Sequence, residues 1–266
     1  MIKILKDKLC LKLKEKNISS DLMDIKFSVA CIDNIKLAKY IFNNYNINIH
    51  NNHECPFRLA CENGNLPVAQ WLYETALKKG KPINIHIYDD IAFRHAAKFG
   101  HLEVLKWLIK LGNINIHIKS NYAFRHACKN GHYHVAKWLY DNYKIDISSK
   151  NDYAFIKACK SGYLIIINWL YALYKQDSNW KYSDITIDYN LLFMECSEKG
   201  HHLIVKWLYT HFKTIIDIRA FMDYAFRLAC INNHIKVALL LCDLCCDYEV
   251  VIKNNKIIAF DYEIKK

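Results

Sequence analysis

The side chains of this sequence best suited to chemistry are 13 histidines and 11 cysteines. Histidine acts as a general acid or base and as a metal ligand, while a cysteine thiolate is a nucleophile and a zinc ligand. Cys242, Cys245 and Cys246 form one Cys-x-x-Cys-Cys group. A zinc site needs about four ligands, and no second pair lies at suitable spacing, so we expect no metal there.

Most of these residues recur at fixed intervals. Four histidines follow a glycine or asparagine at equivalent places, namely His101, His132, His201 and His234. Residues that recur once per repeat belong to the architecture, whereas an active site needs singular residues. The chain also lacks a Gly-rich phosphate loop, a nucleophile elbow and a His-Glu-x-x-His motif. We therefore expect no enzyme activity, no catalytic residue and no cofactor.

A repeated pattern supplies the elements that would position these residues. Alanine or cysteine stands three residues after each of seven phenylalanines, glycine or asparagine seven after, and in five copies tryptophan fourteen after. The spacing predicts a short helix, a left-handed turn at the glycine and a second helix. Ile-x-Ile segments such as 83–86 then predict an extended arm. The phenylalanines are Phe27, Phe57, Phe93, Phe124, Phe155, Phe193 and Phe226.

Helix, turn, helix and arm in about 31 residues resembles the ankyrin repeat. The family's Thr-Pro-Leu-His-x-Ala-Ala-x-x-Gly-His block corresponds to Tyr-Ala-Phe-Arg-His-Ala-Cys-Lys-Asn-Gly-His at residues 122–132. The resemblance implies an all-α repeat solenoid of about seven ankyrin repeats, each a helix-turn-helix plus an extended hairpin arm, with terminal caps. The sequence of this block is most similar to that in ankyrin-repeat proteins of giant DNA viruses of the mimivirus type.

The sequence departs from the family pattern in two ways. The family's proline is absent from six of the seven copies and present only as Pro56, and its histidine, which steadies the hairpin through hydrogen bonds, is replaced by Arg58, Arg94, Arg125 and Arg227. Arginine can donate similar bonds, with a geometry that the sequence leaves open. Extra residues near 76–82 and 172–184 should lengthen a second helix or bulge from the surface.

These comparisons predict the organisation of the chain. We expect an N-terminal capping helix at 1–21, with membrane binding by this lysine-rich segment as the alternative, and an ankyrin-repeat domain at 22–247. A hairpin-like cap with two strands around an Asn-Asn turn follows at 248–266. The repeats are predicted near 22–51, 52–87, 88–118, 119–149, 150–187, 188–220 and 221–247.

The composition restricts the expected cellular location of the protein and the kinds of partner that it could bind. No signal-peptide core or run of about 20 apolar residues occurs, so we expect a soluble, monomeric protein in the cytoplasm of a host cell, without a membrane. Cysteines inside the helices fit small buried side chains in a reducing compartment. The formal charge of +11 comes mostly from lysine, which codon bias or an acidic partner would explain. With four of five arginines at a structural position, nucleic-acid binding would be non-specific.

The ankyrin resemblance implies a concave face that binds proteins. Its variable positions lie five and three residues before the phenylalanine and five and six after it. Phe99 is the predicted apolar anchor, and the lysines are predicted to attract an acidic segment of a host or viral protein. The alternatives are a substrate adaptor for a ubiquitin ligase and non-specific polyanion binding. In the central copies these positions are Tyr88, Asp90, Lys98, Phe99, Lys119, Asn121, Lys129, Asn130, Lys150, Asp152, Lys160 and Ser161.

Overall fold

A computed structural model describes residues 20–176 and 187–262. Within these ranges the chain is built of helix pairs joined by short turns and followed by one two-stranded hairpin, as predicted for an all-α solenoid. The strands are β1 (Glu249–Lys253) and β2 (Lys256–Asp261). The helices are α1 (Ser20–Asp33), α2 (Ile35–Asn44), α3 (Asn51–Glu62), α4 (Leu66–Lys78), α5 (Ile87–Lys98), α6 (Leu102–Leu111), α7 (Ile118–Lys129), α8 (Tyr133–Asn142), α9 (Ser149–Ser161), α10 (Leu164–Gln176), α11 (Tyr189–Glu198), α12 (His202–Phe212), α13 (Ala220–Ile231) and α14 (Ile235–Leu244).

The chain forms two units. The first comprises Met1–Ala127 and His134–Lys144, and the second comprises Cys128–Tyr133 and Ile145–Lys266. In the first unit α1 packs on α3 and α3 on α5, and each of these first helices also packs on the helix that follows it. In the second unit α9, α11 and α13 pack in the same way. Apolar faces are thus buried between neighbouring repeats, as repeat proteins require.

The repeated phenylalanines form the centre of both cores. Each of the seven has no more than 2% of its surface exposed, and the alanine or cysteine three residues later is equally buried. Small side chains at that position allow the next first helix to approach closely. The arms bury their isoleucines, as at Ile83 and Ile85, but they form no ladder of strands within the described part of the chain.

The five tryptophans of the repeated pattern are less buried than the phenylalanines. Among these five, Trp207 is buried, at 8% exposure, whereas Trp71, Trp107, Trp138 and Trp169 are half-buried. Four of the indoles contact a ring of the preceding repeat. The Trp107 ring, for example, lies 6.0 Å from that of Phe57 and 5.9 Å from that of Tyr73.

The turns between paired helices follow the glycine pattern, with one exception. Gly64 has φ +74°, and an added Cβ there would lie 2.4 Å from the His101 ring, so both conformation and close approach demand glycine. In the first copy Asn34 is not left-handed. It has φ −129° and caps α2, with its side-chain oxygen accepting from the Leu37 amide.

The predicted caps and insertions are partly covered by the described residues. Residues 1–19 of the predicted capping helix lie outside them, and Ser20 begins α1. The first insertion lengthens α4 to 13 residues, while most of the second, at 177–186, lies outside. At the other end Tyr248 stacks on Phe226 with ring centres 4.2 Å apart. None of the helices between residues 20 and 262 that are described has the length and apolarity to cross a bilayer.

Candidate functional site

Three-residue left-handed segments open five of the first helices and carry half of the predicted binding positions. Each segment spans the residues five, four and three positions before a repeated phenylalanine. Their φ values lie between +45° and +61°, a region that non-glycine residues seldom occupy. The segments are 52–54, 88–90, 119–121, 150–152 and 221–223.

Arginine at the family's histidine position caps three of these five segments. The Arg94 Nε and Nη2 groups donate to the carbonyl oxygens of Asp89 and Tyr88, at 2.7 and 2.6 Å. Arg58 and Arg125 make the same two bonds in their own repeats. The guanidinium thus satisfies carbonyl groups that a right-handed helix would have used. Arg227 instead lies over the rings of two tyrosines.

The residue that ends each segment points inward. Asp90, Asn121 and Asp152 are 4%, 6% and 6% exposed. Asp90 lies 2.7 Å from His86 Nδ1 and accepts a hydrogen bond from the Asn115 amide of the next arm. These three side chains hold the arms together. Their burial removes them from the predicted partner-binding set.

Two of the predicted binding positions in the first unit are exposed aromatic residues. Tyr88 is 49% and Phe99 40% exposed. The Arg58 guanidinium lies 5.5 Å from the centre of the Tyr88 ring, and the Lys98 ammonium 4.7 Å from that of Phe99. Both rings are therefore held in place with one face available.

The basic positions of this unit are partly neutralised. Lys119 is exposed and forms an ion pair with Asp89 at 3.0 Å. Its segment lies directly after the arm that ends at His117, whose Nδ1 lies 2.8 Å from Asn121. Lys119, one of the lysines predicted to attract an acidic segment, is thus already paired with a carboxylate of its own unit.

Lysines converge on the first helices of the second unit. Lys160 pairs with Glu195, and the Lys199 ammonium donates to the Lys160 carbonyl oxygen at 3.0 Å. Lys157 interacts electrostatically with Lys160, Lys129 and Lys199. We call Lys129, Lys157, Lys160 and Lys199 the lysine cluster. Within range of Lys157 there are thus three other ammonium groups and one carboxylate, that of Glu195.

Burial, together with the charges of Lys160 and Lys129, lowers the pKa of Lys157 from its ordinary value. A like charge nearby disfavours the protonated amine. The lowered pKa of Lys157 reflects its burial and the excess of positive charge within the cluster. An anion that approached it would remove this cost.

The other predicted positions of this unit surround the cluster. Asn130 and Ser161 are half-buried at the ends of α7 and α9, and Lys150 is exposed in a left-handed segment with φ +61°. Sequence reasoning missed Lys157 and Glu195, which both stand two residues after a phenylalanine. That position shares a helix face with the predicted one three residues later, so helical spacing contained the missing information.

Histidine side chains bind their own repeat or the preceding one at several places. His50 Nδ1 lies 2.9 Å from Glu54, and His95 Nδ1 2.9 Å from Glu62. The turn histidine His234 lies 2.8 Å from the carbonyl oxygen of Glu198. Among the described residues no group of three or more His, Cys, Asp or Glu side chains could hold a metal ion.

A family model for ankyrin repeats, written for three copies, matches residues 27–120 and 93–182. The chain belongs to the ankyrin-repeat family. Ankyrin repeats generally mediate protein–protein interaction, and proteins built of them are typically non-catalytic. No curated protein matches the chain, so the narrower resemblance to giant-virus proteins has no support from a relative.

Within the ankyrin family pattern, the matched residues include the aromatic pair and the first three lysines of the cluster. They do not include Lys199 or the C-terminal hairpin. This chain has arginine, which caps left-handed segments, where the family's Thr-Pro-Leu-His sequence has histidine. Arginine takes over the steadying role of the histidine with a two-pronged geometry.

Proposed function

We propose that this ankyrin-repeat protein is a non-catalytic scaffold whose first helices bind an acidic segment of another protein. The observation that carries the proposal is the lysine cluster of the second unit. Lys160 pairs with Glu195, and Lys157 lies within electrostatic range of that carboxylate and of the other three ammonium groups. The repeat does not require this arrangement, because the equivalent helices α3 and α13 carry other side chains at those positions.

The charge pattern suits a protein ligand with carboxylate groups. Lys160 and Lys157 lie one helical turn apart, so side chains of an extended acidic segment can meet both. Complementary charge of this kind raises the association rate and selects partners. Lysine is also a point charge with freely rotating donors, which fits carboxylates in varied positions.

The first unit supplies a different kind of contact. Tyr88 and Phe99 expose one ring face each and are held by Arg58 and Lys98. Aromatic side chains with little freedom left to lose are frequent anchors in protein interfaces. We propose that they bind apolar residues of the partner.

The recurrence of histidines in the repeats supports the proposal that the protein is not an enzyme. The histidines that could act as bases bind carboxylates and carbonyl oxygens of the repeat framework, as His86 does with Asp90. A general base requires a substrate within hydrogen-bond reach, and these rings each use one nitrogen within the fold, Nδ1 as in His86 or Nε2 as in His234.

The test compares two probes on the whole chain. A labelled polyglutamate peptide and a single-stranded oligonucleotide of equal formal charge are titrated at several salt concentrations. We expect the peptide to bind the wild type, and Lys157→Ala with Lys160→Ala to weaken it by about tenfold, because two ammonium contacts are lost. The matched control is Lys206→Ala with Lys236→Ala, which removes the same charge from exposed positions on α12 and α14.

Lysine NMR on the same samples gives an independent readout. The peptide should raise the pKa of Lys157, because a nearby negative charge favours the protonated amine. Equal losses of affinity in both double variants would contradict a site at the cluster. Tighter binding of the oligonucleotide than of the peptide would establish non-specific polyanion binding instead.

A further inference from the structure

The first helices of the second unit carry stripes of different chemistry. On each helix the residues two before, two after and five after the repeated phenylalanine are spaced i, i+4 and i+7, so they share one face. The stripe is Tyr-Lys-Lys on α9, Leu-Glu-Glu on α11 and Tyr-Leu-Ile on α13. Its members are Tyr153, Lys157 and Lys160, then Leu191, Glu195 and Glu198, then Tyr224, Leu228 and Ile231.

Hydrogen bonds between the ends of these helices place the three stripes in order. The His201 ring, which follows α11, lies 3.3 Å from the carbonyl oxygen of Lys160 at the end of α9. In the next pair of repeats the His234 ring lies 2.8 Å from the carbonyl oxygen of Glu198. Because α9 packs on α11 and α11 on α13, the acidic stripe lies between the basic one and the apolar one.

The acidic stripe of α11 is only partly neutralised. Glu195 pairs with Lys160, whereas Glu198 is exposed and forms no ion pair with a residue that the structure describes. A purely acidic ligand that extended from the lysine cluster across α11 would therefore meet a like charge. A basic side chain at that point of the ligand would instead find a carboxylate.

The stripe of α13 exposes apolar side chains at both of its ends. Tyr224 is 40% and Ile231 63% exposed, and the Arg227 guanidinium lies 5.7 Å from the centre of the Tyr224 ring. Phe221 and Met222, which open the left-handed segment of this repeat, are 52% and 78% exposed. Exposed apolar surface of this kind indicates a site for an apolar part of a partner.

We propose that the ligand of the lysine cluster is an extended segment that crosses α9, α11 and α13 and carries acidic, basic and apolar side chains in that order. The acidic residue binds Lys160, the basic residue binds Glu198, and the apolar residue packs on Ile231. This inference rests on the proposed function and adds to it the order of side chains in the partner.

The distance between the stripes sets the spacing of these side chains in the ligand. Packed helices lie roughly 8–10 Å apart. A segment in the polyproline II conformation has three residues per turn and rises about 3.1 Å per residue, so every third side chain lies on one face, about 9 Å from the next. A β-strand would turn every third side chain to the opposite face. The ligand should therefore carry its acidic, basic and apolar residues three positions apart.

Fluorescence anisotropy with the whole chain and two labelled peptides of equal composition tests the proposal. The first peptide is Glu-Pro-Pro-Glu-Pro-Pro-Lys-Pro-Pro-Phe, and the second exchanges its lysine and phenylalanine. The second peptide presents the wrong order in either direction of binding. We expect the first to bind about tenfold more tightly, because only its lysine meets Glu198 and only its phenylalanine meets Ile231.

Two variants assign the contacts. Glu198→Lys should weaken binding of the first peptide by about tenfold, and a peptide with glutamate in place of the lysine should recover the loss. Ile231→Ser should weaken the first peptide by about fivefold, because an apolar contact is lost. The matched control is Ile165→Ser, which makes the same change at a 70% exposed position on α10 and should have no effect.

The outcomes separate this inference from the proposed function. Equal binding of the two peptides, or equal effects of Ile231→Ser and Ile165→Ser, would overturn the inference. If both peptides then still lost affinity in the variant Lys157→Ala with Lys160→Ala, the acidic partner would stand without the order proposed for it. All the changed side chains are at least partly exposed, and circular dichroism checks that the variants are folded.

Discussion

The arginine caps give the sharpest stability prediction. Arg94 is only 6% exposed, and its two hydrogen bonds hold the carbonyl groups of Tyr88 and Asp89. Both residues are left-handed, which costs roughly 1–2 kcal/mol each relative to right-handed backbone. Replacing Arg94 with alanine removes the groups that stabilise this conformation and leaves two part-buried acceptors without a donor.

The magnitude follows from the bonds. A hydrogen bond to a charged group contributes roughly 1.5–3 kcal/mol, and water can recover part of each, so Arg94→Ala should lower the free energy of unfolding by about 3 kcal/mol. Arg94→Lys keeps one donor and should lose about 2 kcal/mol. Arg58 makes the same bonds in an exposed setting, so Arg58→Ala should lose about 1 kcal/mol.

The assay is urea unfolding followed by circular dichroism, with hydrogen exchange of the amides around residues 88–94 as the local readout. The ranking of the three variants matters more than any single value, because repeat proteins can unfold in stages. If Arg94→Ala and Arg58→Ala lost equally little stability, the caps would not stabilise the left-handed segments.

Four further results are expected from the same structure. Ser120 is exposed with φ +56°, so in urea unfolding Ser120→Gly should gain roughly 0.5–1 kcal/mol and Ser120→Val should lose stability. Phe93→Ala should lose about 3–5 kcal/mol in that assay, and Trp107→Ala less, since only Phe93 is fully buried. Burial raises the pKa of Asp152 although the Tyr174 hydroxyl donates to it at 2.7 Å. Tyr174→Phe should raise the pKa of Asp152 further and should lower the free energy of unfolding by about 1–3 kcal/mol. This loss of stability should become smaller as the pH of the unfolding experiment falls, because Asp152 is then protonated. Burial raises the pKa of the Cys196 thiol to about 12. In a variant in which Cys10 is replaced by serine, a thiol reagent should therefore modify the exposed Cys246 quickly and Cys196 only after unfolding.

The repeat framework was predictable because it depends on residues with few alternatives. Only glycine meets both demands at Gly64, a positive φ and contact with a neighbouring ring. The left-handed segments were not predictable by the same rule. Tyr88 is not a residue that usually adopts positive φ, and hydrogen bonds of Arg94 and Asp90 hold its segment in this conformation.

The candidate site was predictable in position but not in exposure. The family offsets selected Tyr88 and Phe99, which are exposed, and Asp90, which is buried because its carboxylate bonds to the next arm. A sequence alignment of repeats shows variation without showing its cause. The Trp107 ring similarly lies at the rim because the core between the first helices is already filled by Phe57 and Phe93.

The central claim is that the first helices of this ankyrin-repeat protein bind another protein through the lysine cluster. The most direct measurement is affinity capture from nuclease-treated cell lysate, with bound proteins quantified by mass spectrometry for three baits. These are the wild type, Lys129→Glu with Lys160→Glu, and the control Lys206→Glu with Lys236→Glu. We predict an acidic protein that the wild type and the control capture and the cluster variant does not. Capture of the same proteins by all three baits, or loss of all binding after nuclease treatment, would contradict the claim.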